Sequence, residues 1–143
     1  MAARFKAAID GGSRGNPGPA AWGVAILNDA GECTDGHYGT LGRATNNVAE
    51  YHALLEALKL AEQQGADEVD IQADSELIVR QIEGRYRVRH PDLRPLFARA
   101  MQSIRRFGSF RIRHVRREHN KDADRLVNVA LNRAEAVPEA PGP

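Results

Sequence analysis

The sequence predicts one α/β domain built on a five-stranded mixed sheet flanked by helices. Three observations lead there. A chain of 143 residues suits a single domain with a core of its own. Three strand-like runs come first, and strands then alternate with segments of helical periodicity. No interior linker or repeat divides the chain. Apolar residues at 42% and charged residues at 27% fit an ordinary globular protein.

The elements follow in order. Residues 4–9, RFKAAI, read as a strand that ends at Asp10. Residues 11–19, GGSRGNPGP, are so dense in turn formers that neither helix nor strand is expected. Residues 20–28 and 32–40 read as two more strands, joined by a hairpin turn at Asp29-Ala30-Gly31. Thr45, Asn46 and Asn47 are N-cap candidates for a helix whose stripe includes Ala49, Leu54, Leu55, Leu58 and Ala61, with Gly65 as its stop. Residues 68–73 alternate as a fourth strand. Asp74-Ser75 can cap a helix from Glu76 to Glu83, and Pro91 suits the first turn of another ending near Phe107-Gly108. Residues 109–116 alternate as a fifth strand, and a last helix covers 121–134. The domain is expected to span 1–134, with a Pro-rich, disordered tail over 135–143.

Charge is unevenly distributed. Residues 1–79 carry 5 basic and 12 acidic side chains, whereas residues 80–143 carry 15 basic and 7 acidic ones, for a net charge of +1. Twelve arginines fall within 80–117. Arginine suits bidentate phosphate contact, so an anionic partner is one reading; solvated helix faces are the other. A single Cys33 excludes an internal disulfide framework, and no run approaches a signal peptide or membrane span. A monomer in the reducing cytoplasm, without membrane attachment, is the expectation.

Four acids stand at element boundaries: Asp10 after the first strand, Glu50 in the first turn of the first long helix, Asp74 after the fourth strand, and Asp124 in the first turn of the last helix. Each has a plain structural reading, since acids in a first turn complement the helix dipole and Asp caps helices. Together they can converge on one sheet edge. Like charges so gathered raise one another's pKa, and an oxygen-only cluster selects hard cations such as Mg²⁺ or Mn²⁺.

The motifs around these acids are similar to those of the ribonuclease H type 1 family, over about residues 1–134. They are Asp10 to Pro19 (DGGSRGNPGP), Gly42 to Tyr51 (GRATNNVAEY), Ala73-Asp74-Ser75, and Arg116 to Leu126 (RREHNKDADRL). The resemblance implies a ribonuclease H-like fold with a βββαβαβα core. It implies that Asp10, Glu50, Asp74 and Asp124 are catalytic metal ligands for two Mg²⁺ ions, Mn²⁺ being a possible substitute. It implies endonucleolytic hydrolysis of the RNA strand of an RNA/DNA hybrid, leaving 5′-phosphate and 3′-hydroxyl ends. The alternative is a catalytically weak hybrid-binding module of the same fold.

The resemblance also assigns substrate contacts. Gly11, Ser13 and Asn16 belong to the loop that meets the RNA strand near its 2′-hydroxyls. Arg43 and Thr45 match a DNA-strand phosphate contact, and Asn46 and Asn47 a minor-groove contact. Ordinary N-capping is the structural reading for Thr45 and Asn46. The chain looks like the branch lacking the family's basic protrusion, and Arg85, Arg87 and Arg89 are candidates to supply hybrid affinity in its place. His119, only five residues before Asp124, is a candidate for an assisting role in catalysis.

Overall fold

The computed structural model describes residues 3–136. Its five-stranded sheet has the order β3-β2-β1-β4-β5, with β1 (Arg4–Ser13), β2 (Gly18–Leu27), β3 (Cys33–Ala44), β4 (Glu68–Ala73) and β5 (Ser109–His114). The first three strands form an antiparallel meander, and β4 and β5 run parallel to β1. The helices are α1 (Asn46–Gln63), α2 (Glu76–Ile82), α3 (Arg94–Ile104) and α4 (Lys121–Ala136), with a 3-10 turn at Arg117–His119 before α4. This is the expected mixed sheet with its expected element order.

Alternation along the strands divides the core between the two faces of the sheet. Phe5, Ala7, Ile9, Val69 and Ile71 pack against α1, α2 and α3 through Leu54, Leu58, Ile78 and Leu96. On the opposite face, Ala8, Ala25 and Leu27 pack against Ala123 and Leu126, and Ala21 against Val127, Ala130 and Leu131 of α4. Alanines at 49, 53, 57 and 61 are fully buried and let α1 lie close on the sheet. Tyr51 and Gln81 join α1 to α2 by a buried hydrogen bond of 2.6 Å from the phenol to the amide oxygen.

Several expected boundaries move. β1 does not end at Asp10 but continues through Gly11, Gly12 and Ser13, which pair with Trp22, Ala21 and Ala20. Cross-strand pairing overrides a glycine-rich composition that by itself reads as turn. Only Arg14 to Pro17 form the loop, where Gly15 adopts φ +93°. β3 likewise extends to Ala44, with an irregularity opposite Ala20/Ala21. The third helix starts at Arg94 with Pro95 in its first turn, not at Pro91, which lies in the preceding turn. β5 ends at His114. The last helix runs to Ala136, past the expected boundary at 134, so the expected disordered tail begins inside α4. The rest of that tail, 137–143, lies outside the described residues. No helix among the described residues is long and apolar enough to cross a membrane.

Candidate active site

The parallel strands β1 and β4 part after the pair Ile9–Ala73, which opens a crevice at the carboxyl end of β4. Asp10 projects there from β1 and Asp74 directly follows β4. Ser75 caps α2 by accepting the Ile78 N–H, so Asp74 is not spent as the cap. Thr45, rather than either asparagine, caps α1 by accepting the Val48 N–H. Helix α1 therefore starts at Asn46, and Glu50 is its fifth residue, beyond the first turn. The dipole reading of Glu50 thus loses its basis. Asp124 lies in the first turn of α4, as expected.

Asp10, Glu50 and Asp74 each offer a carboxylate oxygen within 4.8 Å of the others. Asp124 stands outside this trio but lines the same cleft, whose volume is about 440 Å³. Glu50 is 6% exposed and Asp10 7%. The Gly11 N–H donates to Glu50 Oε1 at 3.1 Å and to Asp10 Oδ1 at 3.0 Å. Glu50 Oε2 is buried without a hydrogen-bond partner. Such an atom is costly unless a proton or a cation satisfies it.

The electrostatics agree. Burial pushes the Asp10 carboxyl up to about 7, against a lowering contribution from Glu50, and Asp74 and Asp124 push it further up. Burial, then the charge of Asp10, holds Glu50 well above the usual carboxylate range. Burial also raises Asp74, while the Arg117 guanidinium pulls it down. The trio thus repels its own negative charge, and oxygen donors in this arrangement fit a hard divalent cation.

A stability prediction follows from Asp10. Its folded value of about 7 lies above the ordinary 3.8, so between these pH values the folded state binds more protons than the unfolded state. In EDTA, the melting temperature should therefore fall as pH rises from about 4 to about 7. Asp10→Asn should flatten that slope. A slope unchanged by the substitution would show that Asp10 is not the strained group.

Other expected site residues divide between two grooves. Gly11, Ser13, Asn46 and Asn47 line the carboxylate cleft, together with Arg14, Arg117 and Asn128. Asn46 Oδ1 accepts from both the Ser13 N–H, at 2.9 Å, and the Ser13 hydroxyl, at 3.0 Å. Asn16 does not line the cleft; its side-chain oxygen accepts the Asn46 N–H at 3.0 Å and ties the loop to the start of α1. Arg43 and Thr45 line an adjoining groove with Val48, His52, Pro95 and Leu96. His119 is exposed on the 3-10 turn and lies outside the cleft lining, so the structure does not bring it to the carboxylates.

This arrangement has close counterparts. The sequence model of a family described as reverse transcriptase-like matches residues 8–130. The chain is 45% identical over 132 residues to ribonuclease HI of Halobacterium salinarum, an alignment covering 92% of this chain and 66% of that protein. The chain belongs to the ribonuclease H type 1 family. Two solved ribonuclease H structures agree in shape. The N-terminal ribonuclease H domain of Rv2228c from Mycobacterium tuberculosis has 40% identity and a TM-score of 0.87, with 93% of this chain and 96% of that one covered. LC11-RNase H1, isolated from compost and solved in complex with an RNA/DNA hybrid, has 40% identity and a TM-score of 0.86, covering 92% and 99%. The chain spans 66% of the halobacterial relative's length and 35% of the full mycobacterial protein's.

One cleft residue of this ribonuclease H domain lies in a matched motif, Arg116 to Leu126, without having been assigned a role. Arg117 places Nε 4.0 Å from Asp74 Oδ2 while its side chain is 86% exposed. In the sequence it is one of twelve arginines in a basic stretch, and no periodicity marks it. Its place in the motif that leads to Asp124 was the available signal, and the structure sets it at the start of the 3-10 turn.

Proposed function

We propose that this protein is an endoribonuclease that hydrolyses the RNA strand of RNA/DNA hybrids, leaving 5′-phosphate and 3′-hydroxyl ends. One observation carries the reading: four carboxylates from β1, α1, the end of β4 and α4 border one open cleft, and one oxygen of that cluster is buried and unpartnered. The alternative of a catalytically weak binding module is not favoured, because all four acids face the cleft.

Asp10, Glu50, Asp74 and Asp124 would hold divalent cations, Mg²⁺ first and Mn²⁺ as a substitute, as hard oxygen donors do. When bound, such ions supply Lewis acidity to the attacking water and to the departing 3′ oxygen. The chain's own residues do the rest. The Ser13 hydroxyl and the close-packed backbone at Gly11 line the cleft, where they would meet a 2′-hydroxyl of the RNA strand. The amide oxygen of Asn46 is already engaged by Ser13, which leaves its amide nitrogen to donate to a base acceptor. Arg43 and Thr45, beside the N-terminus of α1, suit a phosphate of the DNA strand in the adjoining groove. Arg117 suits a phosphate near the carboxylates, drawing part of its charge away from Asp74. Arg85, Arg87 and Arg89 are exposed beside Tyr86, itself 47% exposed, and add hybrid affinity. The reading includes a monomer acting in the cytoplasm, which the lone Cys33 favours.

Chelation tests the reading. EDTA should stop cleavage of the hybrid, and excess Mg²⁺ or Mn²⁺ should restore it; cleavage that persists in EDTA would defeat the metal assignment. The arginine segment has its own expected result. Replacing Arg85, Arg87 and Arg89 together with Ala should raise KM for the hybrid and flatten its dependence on salt, with less change in kcat. An unaltered salt slope would remove these arginines from the interface.

A further inference from the structure

Asn120 does something that the four carboxylates leave unexplained. It sits between the 3-10 turn and α4 and is 1% exposed. Its amide nitrogen donates to the Ile9 carbonyl at 2.9 Å. Its amide oxygen accepts from Gln72 Nε2 at 3.4 Å. Its backbone carbonyl accepts the Asp124 N–H at 3.1 Å, and its own N–H donates to the Arg117 carbonyl at 2.9 Å. Ile9 immediately precedes Asp10, and Gln72 lies two residues before Asp74. One buried residue therefore reaches neighbours of Asp10 and Asp74 through its side chain, and Asp124 and Arg117 through its backbone.

The topology explains why an asparagine is needed there. The β1–β4 ladder stops at the pair Ile9–Ala73. Beyond it β1 continues to Ser13, while β4 turns away into the cap of α2. The Asn120 amide supplies to Ile9 the donor that a departing β4 no longer offers, and so closes the fork between the two strands. Gln72 is held in turn, with its oxygen accepting from Arg113 Nη2 at 3.3 Å and its nitrogen donating to the His119 carbonyl at 3.1 Å. Asp124 is the acid outside the tight trio, and it comes from the layer on the other face of the sheet. Its distance from Asp10 depends on how the start of α4 is tied to β1, and Asn120 makes that tie.

We propose that Asn120 is a positioning residue that fixes Asp124 against Asp10 and Asp74 and thereby sets the site's affinity for a divalent cation. This rests on reading the carboxylates as metal ligands. Partners behind the ligands of a metal site commonly control affinity or activity by about 10–100-fold. The test compares the wild type with Asn120→Ala and Gln72→Met, the second of which keeps length and packing while removing the donor to Asn120. Mn²⁺ binding is measured by calorimetry on the hybrid-free protein, well below each melting temperature, and hybrid cleavage is followed as Mg²⁺ is varied. Asn120→Ala should weaken Mn²⁺ binding and lower kcat by about 10-fold or more. Its KM for the hybrid should change little, and Gln72→Met should follow in the same direction with a smaller effect. A residue that only stabilises the fold would lower the melting temperature and leave Mn²⁺ affinity and kcat as in the wild type, and that result overturns the proposal. If Asn120→Ala does not fold, Gln72→Met decides: wild-type Mn²⁺ affinity in it overturns the proposal as well. A wild type that binds Mn²⁺ yet cleaves no hybrid counts against the proposed function, and the Mn²⁺ affinities still judge Asn120.

Discussion

Asp10→Asn should leave a folded protein that still binds the RNA/DNA hybrid but cleaves it at least ~10³-fold more slowly. The substitution keeps the shape of a side chain that is 7% exposed and accepts the Gly11 N–H, so the surroundings need not move. It removes the charge that acts most strongly on the buried Glu50, and with it one of the oxygen-donor carboxylates that would hold a cation. The same change relieves repulsion in the metal-free state. Burial holds Asp10 at about 7 instead of 3.8, so the neutral amide should raise the melting temperature in EDTA near pH 8. Lost activity with gained stability distinguishes a functional charge cluster from a structural one. Retained cleavage would sink the assignment of this site.

The largest effect on folding should come from Gly11→Ala. A Cβ at Gly11 would lie 2.3 Å from the Ala49 carbonyl carbon, and 2.4 Å from the Ala49 oxygen and from the Glu50 nitrogen. All three are backbone atoms of α1 and cannot swing aside. The helix would have to lift off β1, which would break the Gly11–Glu50 hydrogen bond and part Glu50 from Asp10. Overpacking against backbone of this kind costs about 3 kcal/mol or more. For a domain of this size that means a melting temperature lower by roughly 10 °C. The neighbouring Gly12→Ala is the control, because its Cβ would meet only Val127 Cγ1 at 3.7 Å, an ordinary contact. Thermal melts of the two variants should differ sharply; equal melts would contradict the close approach of α1 to β1. Gly11 thus has a packing task besides any contact with substrate.

The contrast between these glycines shows what the sequence could and could not convey. β4 was legible to the residue, because Glu68 to Ala73 alternate between the core and the open face. The four acids were legible through the motifs around them. The path of β1 beyond Asp10 was not, since Gly11 to Ser13 are extended only because β2 pairs with them and α1 presses on Gly11. The start of α3 was obscured because Pro91 and Pro95 both suit a first turn, and tertiary packing chose the second. His119 looked eligible by its nearness to Asp124, yet the 3-10 turn leaves it outside the cleft and brings Arg117 to Asp74 instead. Asn120 lies inside the matched motif Arg116 to Leu126, but nothing in its spacing marks it as a tie between strands. Its burial arises from a fork between two strands, and its partner there, Ile9, lies more than a hundred residues away along the chain.

The most direct test of the account is strand-resolved cleavage of end-labelled RNA/DNA, RNA/RNA and DNA/DNA duplexes and of single-stranded RNA. Each is incubated with Mg²⁺, with Mn²⁺ and with EDTA. Cleavage of the RNA strand of the hybrid alone is expected, with 5′-phosphate and 3′-hydroxyl products, lost in EDTA. Cleavage of the hybrid's DNA strand, or hydrolysis that proceeds equally well in EDTA, would contradict it.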